Sequence, residues 1–118
     1  TKQYFFKMML IAIPNFGNRI SPRFEYAESL QLISVEKDKI IKRETIKLIV
    51  HSNLERMNII IGLKPDLIIC DGITELSFEK IVESKIEIIS WVNGTIEDIL
   101  EKHLKGNLKS GKENKVTL

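Results

Sequence analysis

Two arginines and a serine lie close together in one short stretch of this 118-residue chain. Arg19 and Arg23 flank Ser21, within residues 15–24 that follow the apolar run 9–13. Guanidinium groups bind carboxylates, phosphates and other anions through paired hydrogen bonds. The spacing therefore predicts an anion clamp in a loop, and two solvated loop arginines are the alternative of about equal weight.

Cys70 supplies the one thiol of the chain. Thiolates bind iron and iron–sulfur species strongly, so Cys70 is a candidate metal ligand if it faces the loops. Cysteine is also among the most buried residue types, and a structural role in the core is the favoured alternative. A single cysteine cannot provide a closed cluster site, so at most it offers partial ligation. It cannot form an internal disulfide either, which suits a reducing compartment.

Two further loops carry a glycine just before a predicted helix. Gly72 follows Asp71, and Gly94 precedes Thr95. Free amides at a helix N-terminus attract anions, so both loops are candidate cradles for an anionic group. Ordinary loop and cap chemistry is the favoured alternative for each glycine. Trp91 could wall such a site, or pack over the end of a sheet.

The hydrophobic pattern predicts the elements that position these residues. Short apolar runs bounded by turn signals indicate five strands, and capping residues followed by helical spacing indicate three helices. A polar turn after the second strand predicts an antiparallel hairpin, and the charged third strand suits a sheet edge. The strands are expected at 9–13, 30–35, 40–48, 66–70 and 86–90, and the helices begin after Ser52, Thr74 and Thr95.

The alternation of strands and helices after the hairpin predicts parallel pairing. If the first strand also runs parallel to the fourth and fifth, as the resemblance given below implies, all three end at the same edge of the sheet, where open α/β sheets bind ligands. This arrangement would bring together the loops 15–24, 71–74 and 91–95. We therefore expect the ligand site in the crevice between these three loops.

Three motifs in the chain resemble the dinitrogenase iron–molybdenum cofactor biosynthesis family. They are Ile-Ala-Ile-Pro from residue 11 followed by a glycine and Ile-Ser-Pro-x-Phe, the segment 66–73 with its glycine turn, and the Gly-Thr helix start at 93–100. The resemblance runs from about Met9 to Leu108. It departs from the family at Arg23, where the family often has histidine.

The resemblance implies a fold and a role. The fold is a single mixed five-stranded sheet of the ribonuclease-H-like type, with strand order 3-2-1-4-5, strand 2 antiparallel, and three helices. The role is non-catalytic binding or carriage of an iron–molybdenum or iron–sulfur type cluster, bound transiently, with cofactor-biosynthesis proteins as partners. The cofactor would meet the crevice residues Asn15, Gly17, Arg19, Ser21, Arg23, Phe24, Asp71, Gly72, Trp91, Gly94 and Thr95, with Cys70 as a metal ligand.

Composition restricts the other function classes. No apolar run approaches the roughly 20 residues of a membrane span. From Lys105 onward four lysines and one glutamate give +3, whereas the other 104 residues carry 14 basic and 15 acidic side chains, or −1. A nearly neutral body gives no electrostatic footprint for nucleic acid. We expect a cytoplasmic protein with a lead-in at 1–8, one domain at 9–105 and a flexible basic tail at 106–118.

Two alternatives to a carrier stay open at this stage. A metal-dependent nuclease would suit the fold type, but two-metal hydrolysis needs clustered carboxylates. The first strand contains neither aspartate nor glutamate, so Asp71 would stand alone. An interaction or regulatory domain with a vestigial pocket is the second alternative, because fold and function separate easily. We expect no enzymatic activity.

Overall fold

The chain folds around a mixed sheet, in a computed structural model that describes residues 8–49 and 52–111. A short 3₁₀ turn, Phe24–Tyr26, and two helices connect its strands, and a third helix follows the last strand. The strands are β1 (Met8–Phe16), β2 (Arg19–Ile20), β3 (Ser29–Glu36), β4 (Lys39–Lys47), β5 (Leu67–Ile69) and β6 (Glu87–Ile89), and the helices are α1 (Asn53–Gly62), α2 (Glu75–Glu83) and α3 (Ile96–Leu104).

The strand order is β4-β3-β1-β5-β6, with the short β2 paired to the end of β1. β3 is antiparallel to both β1 and β4, whereas β1, β5 and β6 are parallel. The five predicted strands therefore take the predicted order and directions, and the α/β fold class is confirmed. The difference is β2, a sixth strand that the sequence analysis treated as loop.

Helices cover both faces of the sheet. On one face, α3 packs Ile96, Ile99 and Leu100 against Ile11 and Ile13 of β1. On the other face, α1 and α2 pack against the residues of the opposite parity, which include Ala12, Ile68 and Cys70. Because both faces are buried, β1 and β5 are apolar at every position between Met9 and Ile13 and between Leu67 and Ile69.

Local sequence signals fix the ends of the helices. Ser52 accepts a hydrogen bond from the Glu55 amide, and the Glu55 carboxylate accepts one from the Ser52 amide, so the predicted capping box is present. Thr74 and Thr95 cap α2 and α3 through their hydroxyl groups, which accept from the amides of Ser77 and Asp98. Their positions matter for function, because both helices begin at the end of the sheet where the three loops meet.

The predicted hairpin and edge strand are also present. Lys37 and Asp38 form the turn between β3 and β4, with φ of 52° and 62°. Positive φ at both turn residues defines the type I′ turn, which suits the twist of a two-stranded hairpin. β4 lies at one edge of the sheet.

Some side chains and boundaries differ from the predictions. The apolar run 86–90 predicts a buried Ile88 and the helical spacing after Thr74 predicts an inward Val82, yet Ile88 is half-buried and Val82 is exposed, because only one face of the short α2 meets the sheet. Met8 already belongs to β1, and residues 1–7 lie outside the described part of the chain. Within the described ranges, none of the helices is long and apolar enough to cross a membrane.

The first part of the predicted basic tail contacts the domain. Residues 106–111 lie against the domain: Leu108 packs on the α3 side of the core, and Ser110 and Gly111 both donate hydrogen bonds to the carbonyl of Ser90. The rest of the predicted tail, residues 112–118, lies outside the described residues.

Candidate functional site

The first loop of the predicted crevice is a β-hairpin. β1 continues past Pro14 to Phe16, and β2 returns from Arg19, so Gly17 and Asn18 form a two-residue turn. Gly17 has a φ of +61°, a conformation that costs other residues about 1–2 kcal/mol. Pro14 lacks a backbone donor, and it lies where the neighbour of β1 changes from β5 to β2. The hairpin presents Arg19 on its second strand.

Backbone hydrogen bonds join the three loops. The Phe24 amide donates to the carbonyl of Gly72 at 2.8 Å, and the Gly72 amide donates to the carbonyl of Pro22 at 3.0 Å. The Ile20 amide donates to the carbonyl of Gly94 at 3.0 Å, so the first loop also contacts the third. The Trp91 amide donates to the carbonyl of Asp71 at 3.2 Å. The predicted meeting of the three loops is therefore present in the structure.

A cavity of about 190 Å³ lies between the first two loops and Trp91. Arg23 lies on its rim, with the guanidinium carbon 5.7 Å from the ring centre of Tyr26. Ligand pockets of drug-sized molecules usually enclose about 300–1,000 Å³, so a larger ligand would remain partly exposed here. The cavity is lined by Pro22, Arg23, Glu25, Gly72, Ile73, Thr74 and Trp91.

A carboxylate of the protein occupies the helix N-terminus beside this cavity. The Glu25 carboxylate accepts hydrogen bonds from the Thr74 amide and the Thr74 hydroxyl, both at 3.1 Å. Negative charge is favoured at the N-terminus of a helix, here α2. The Gly72 amide is bonded to Pro22 as well. Two amides of this loop are therefore bonded within the protein, which agrees with the alternative of ordinary loop and cap chemistry.

Arg19 borders a second cavity, of about 260 Å³, on the other side of Pro22. Phe16, Arg19, Ile20 and Pro22 line it, and Phe16 is 56% exposed. Arg19 also forms an isolated bridge with Thr95, the cap of α3. The two arginines thus line adjoining cavities that share Pro22, rather than one cavity.

Three predicted site residues have structural roles instead. Asn15 is buried, donates to the carbonyl of Gly17 at 2.8 Å and accepts from the Ser29 hydroxyl at 2.8 Å. Ser21 is buried and its hydroxyl donates to the carbonyl of Arg23 at 2.9 Å. Phe24 packs in the core with α1 and α2. These residues shape the first loop from within, and they present little surface to a ligand.

Cys70 faces the core. Its side chain is fully buried among the apolar residues that pack under α1 and α2. Burial raises the pKa of the Cys70 thiol far above its ordinary value, with a smaller contribution from the charge of Glu25. Metal binding needs the thiolate, so this position does not support the prediction of Cys70 as a metal ligand. The structural alternative describes its environment better.

Arg56 holds the start of the site in place. Its guanidinium donates to the carbonyls of Leu48 and Glu25 at 2.9 Å each, and to that of Ile49 at 3.4 Å. These bonds attach α1 to the short 3₁₀ turn that carries Glu25. Arg56 is therefore a structural arginine, in contrast to the exposed Arg19 and Arg23.

Four residues at or beside the two cavities were not predicted from the sequence. Glu25, Tyr26 and Ile73 border the first cavity or contact Arg23, and Phe16 borders the second. A Gly-Asn pair between two short extended runs is a known hairpin signal, and it would have revealed β2 and Phe16. No comparable local signal identifies Glu25, because its contact with Thr74 spans 49 positions of sequence.

Metal-ligating side chains are scattered over the described residues. No group of three or more His, Cys, Asp or Glu residues within 8–49 and 52–111 is close enough to hold a metal ion. The site is defined instead by arginines, hydroxyls, backbone groups and one tryptophan.

Several solved structures share this fold. A protein from Methanocaldococcus jannaschii, provisionally named a dinitrogenase, superposes with a TM-score of 0.73 at 22% identity, over 86% of this chain and 92% of its own. A protein from Thermotoga, provisionally named a NifB protein, gives 0.71 at 16% identity, over 93% and 97%. The apo form of the orange protein from Desulfovibrio gigas gives 0.70 at 14% identity, over 90% and 95%.

These identities are low and establish the fold alone. A comparison with curated protein sequences returned no match. The family model described as "Dinitrogenase iron-molybdenum cofactor" matches residues 7–106, which include all five main strands and the three helices. The match agrees with the motifs around Pro14, Asp71 and Gly94, and the chain therefore belongs to the dinitrogenase iron–molybdenum cofactor family.

Proposed function

We propose that this chain is a non-catalytic binding or carrier domain for an iron–molybdenum or iron–sulfur type cluster, or for a precursor of one. The observation that carries the proposal is the junction of the three loops, where Arg23 and Trp91 border one cavity and Arg19 borders the next. Membership of the family supports the choice of cargo.

The arginines are the groups best placed to hold an anionic cluster. Both are exposed at the rims of their cavities, and neither is used in an ion pair within the described residues. A hydrogen bond to a charged group contributes about 1.5–3 kcal/mol, so two such contacts would give moderate affinity. Moderate affinity at a shallow site suits a protein that receives a cluster and passes it on.

The burial of the Cys70 side chain in the core agrees with reversible binding of the cluster. An iron–thiolate bond to the protein would tend to retain the cluster, and the buried thiol offers no such bond without rearrangement of the core. We therefore assign cargo binding to charge and to donor groups at the loop junction. The absence of Asp and Glu from β1 supports a role without metal-dependent hydrolysis.

An interaction domain with a vestigial pocket is the second candidate. The observation in its favour is the Glu25 carboxylate, which already satisfies the start of α2 and would repel an anion in the first cavity. In this case the loop junction would still contact cofactor-biosynthesis proteins, without holding a cluster itself.

Anaerobic titration with extracted iron–molybdenum cofactor separates the two candidates. Measured at equilibrium, without a separation step that would remove a moderately bound ligand, a carrier should change the cofactor absorbance saturably, up to one cofactor per chain. No saturable change at any ratio would contradict the carrier and leave the interaction domain.

A further inference from the structure

The segment 107–111 returns to the loop that carries Trp91. Leu108 packs on the α3 side of the core, which directs the following residues toward the end of β6. The Ser110 hydroxyl then donates to the carbonyl of Ser90 at 2.8 Å, and the Gly111 amide donates to the same carbonyl at 3.2 Å. Ser90 itself is buried, so these bonds fix the backbone just before Trp91.

Gly111 lies directly against the backbone of Trp91. A Cβ at residue 111 would overlap the carbonyl oxygen of Trp91, and it would approach the Trp91 Cβ to 3.3 Å. Only glycine fits there without movement of one of the two segments. Trp91 has a φ of +62°, which is uncommon for any residue other than glycine and is kept only where the surroundings hold it.

The conformation of Trp91 decides the shape of the first cavity. The indole ring lies close to Gly72, whose added Cβ would be 3.7 Å from Cζ3 of the ring. The Trp91 amide bonds to the carbonyl of Asp71, and the ring lines the cavity together with Arg23. A change at Trp91 would therefore reach the rim where Arg23 lies.

We infer that residues 107–111 are a positioning element for Trp91, which they hold as the wall of the first cavity. The match to the family model ends at residue 106, so this element lies outside the matched residues. It makes Ser110 and Gly111 positioning residues for the site.

Tryptophan fluorescence tests this inference directly, because Trp91 is the only tryptophan of the chain. We expect Ser110→Ala and Gly111→Ala to shift the emission maximum to longer wavelength and to increase quenching by acrylamide, as for an indole that moves toward water. Ser110→Thr keeps a hydroxyl at the same position and should restore the original emission.

Two matched variants control for general destabilisation. Ser84→Ala also removes a serine hydroxyl that donates to a backbone carbonyl, at 2.9 Å to Lys80. Gly62→Ala adds a methyl group where no atom lies within 4 Å. Both should leave the emission unchanged. Unchanged emission in both test variants, or equal shifts in the controls, would overturn the inference.

A binding measurement extends the test and rests on the proposed function. Its outcome can be distinguished from that of the fluorescence measurement. Under anaerobic conditions, the apparent Kd for extracted iron–molybdenum cofactor should rise about threefold or more in Gly111→Ala. The reason is that a smaller fraction of the molecules would have the first cavity in its binding-competent shape. An unchanged Kd beside altered fluorescence would overturn the role of the element in the site. Absence of binding by the unaltered protein would contradict the proposed function, whereas the fluorescence shifts would still establish that the segment positions Trp91.

Discussion

The carboxylate of Glu25 accepts two hydrogen bonds from Thr74, one from its backbone amide and one from its hydroxyl, both at 3.1 Å. This contact joins the first loop to the start of α2 and places a negative charge at the wall of the first cavity. The protein thus supplies its own anion at the start of α2, where the sequence offered a candidate cradle for an anionic group. Glu25 and Arg23 both line the first cavity, so an anion there would be repelled by the first and attracted by the second.

Neutralising Glu25 should strengthen binding of an anionic probe. Glu25→Gln keeps an oxygen that can accept from Thr74 and removes the repelling charge. We expect tetrathiomolybdate, a molybdenum–sulfur dianion, to bind several-fold more tightly, which corresponds to about 0.5–1 kcal/mol. Isothermal titration at low ionic strength measures this, with Glu83→Gln on the exposed end of α2 as control. Weaker binding by Glu25→Gln than by the control would contradict the account.

The burial of Cys70 predicts a specific pH dependence of stability. Its pKa is raised in the folded protein, whereas the unfolded chain should titrate near about 8.5. Below that pH both states hold the proton and the thiol adds no pH dependence. Above it the unfolded state loses the proton first, so the free energy of unfolding falls by up to about 1.4 kcal/mol per pH unit.

Urea unfolding between pH 7 and 10 checks this dependence. The unaltered protein should lose more stability across the range than Cys70→Ala, which has no thiol to titrate. Parallel curves for the two proteins would show that Cys70 ionises as easily in the folded state, and would reopen its role as a ligand.

The β1–β2 turn depends on Gly17. Its φ of +61° and the open space around it mean that backbone strain, rather than a clash, limits substitution. Gly17→Val should lower the free energy of unfolding by about 1–2 kcal/mol, and Gly17→Asn by much less, because asparagine tolerates this conformation. Urea unfolding measures both. Equal losses in the two variants would contradict the assignment of strain to this turn.

Much of the fold could be predicted because its signals are local. Ser52, Thr74 and Thr95 cap helices through residues three positions away, and the apolar runs mark buried strands directly. The strand order followed from the family resemblance. From that order the meeting of three loops was a geometric consequence, since the carboxyl ends of parallel strands lie at one edge.

The orientation of single side chains could not be predicted in the same way. Leu67, Ile68, Ile69 and Cys70 are all buried, so hydrophobicity does not reveal which of them face α3 and which face α1 and α2. Cys70 shares its face with Ile68, under α1 and α2. Polar residues were equally ambiguous, because Asn15 is satisfied within the protein by partners that only the folded chain brings close.

The central claim is that loop arginines, and not Cys70, hold the cargo. Three variants test it together: the double variant Arg19→Ala, Arg23→Ala, then Cys70→Ser, and the charge-matched control Lys39→Ala, Lys102→Ala. Lys39 lies at the β3–β4 turn and Lys102 in the last turn of α3, so the control removes two positive charges away from the loop junction. Circular dichroism is used to check that each variant is folded.

Anaerobic binding of extracted iron–molybdenum cofactor is the measurement. We expect the arginine double variant to bind at least about tenfold more weakly, because each tenfold corresponds to about 1.4 kcal/mol and two charged contacts are lost. Cys70→Ser and the lysine control should bind within about threefold of the unaltered protein, a difference of less than 1 kcal/mol. Undiminished binding by the arginine double variant beside loss of binding in Cys70→Ser would contradict the claim.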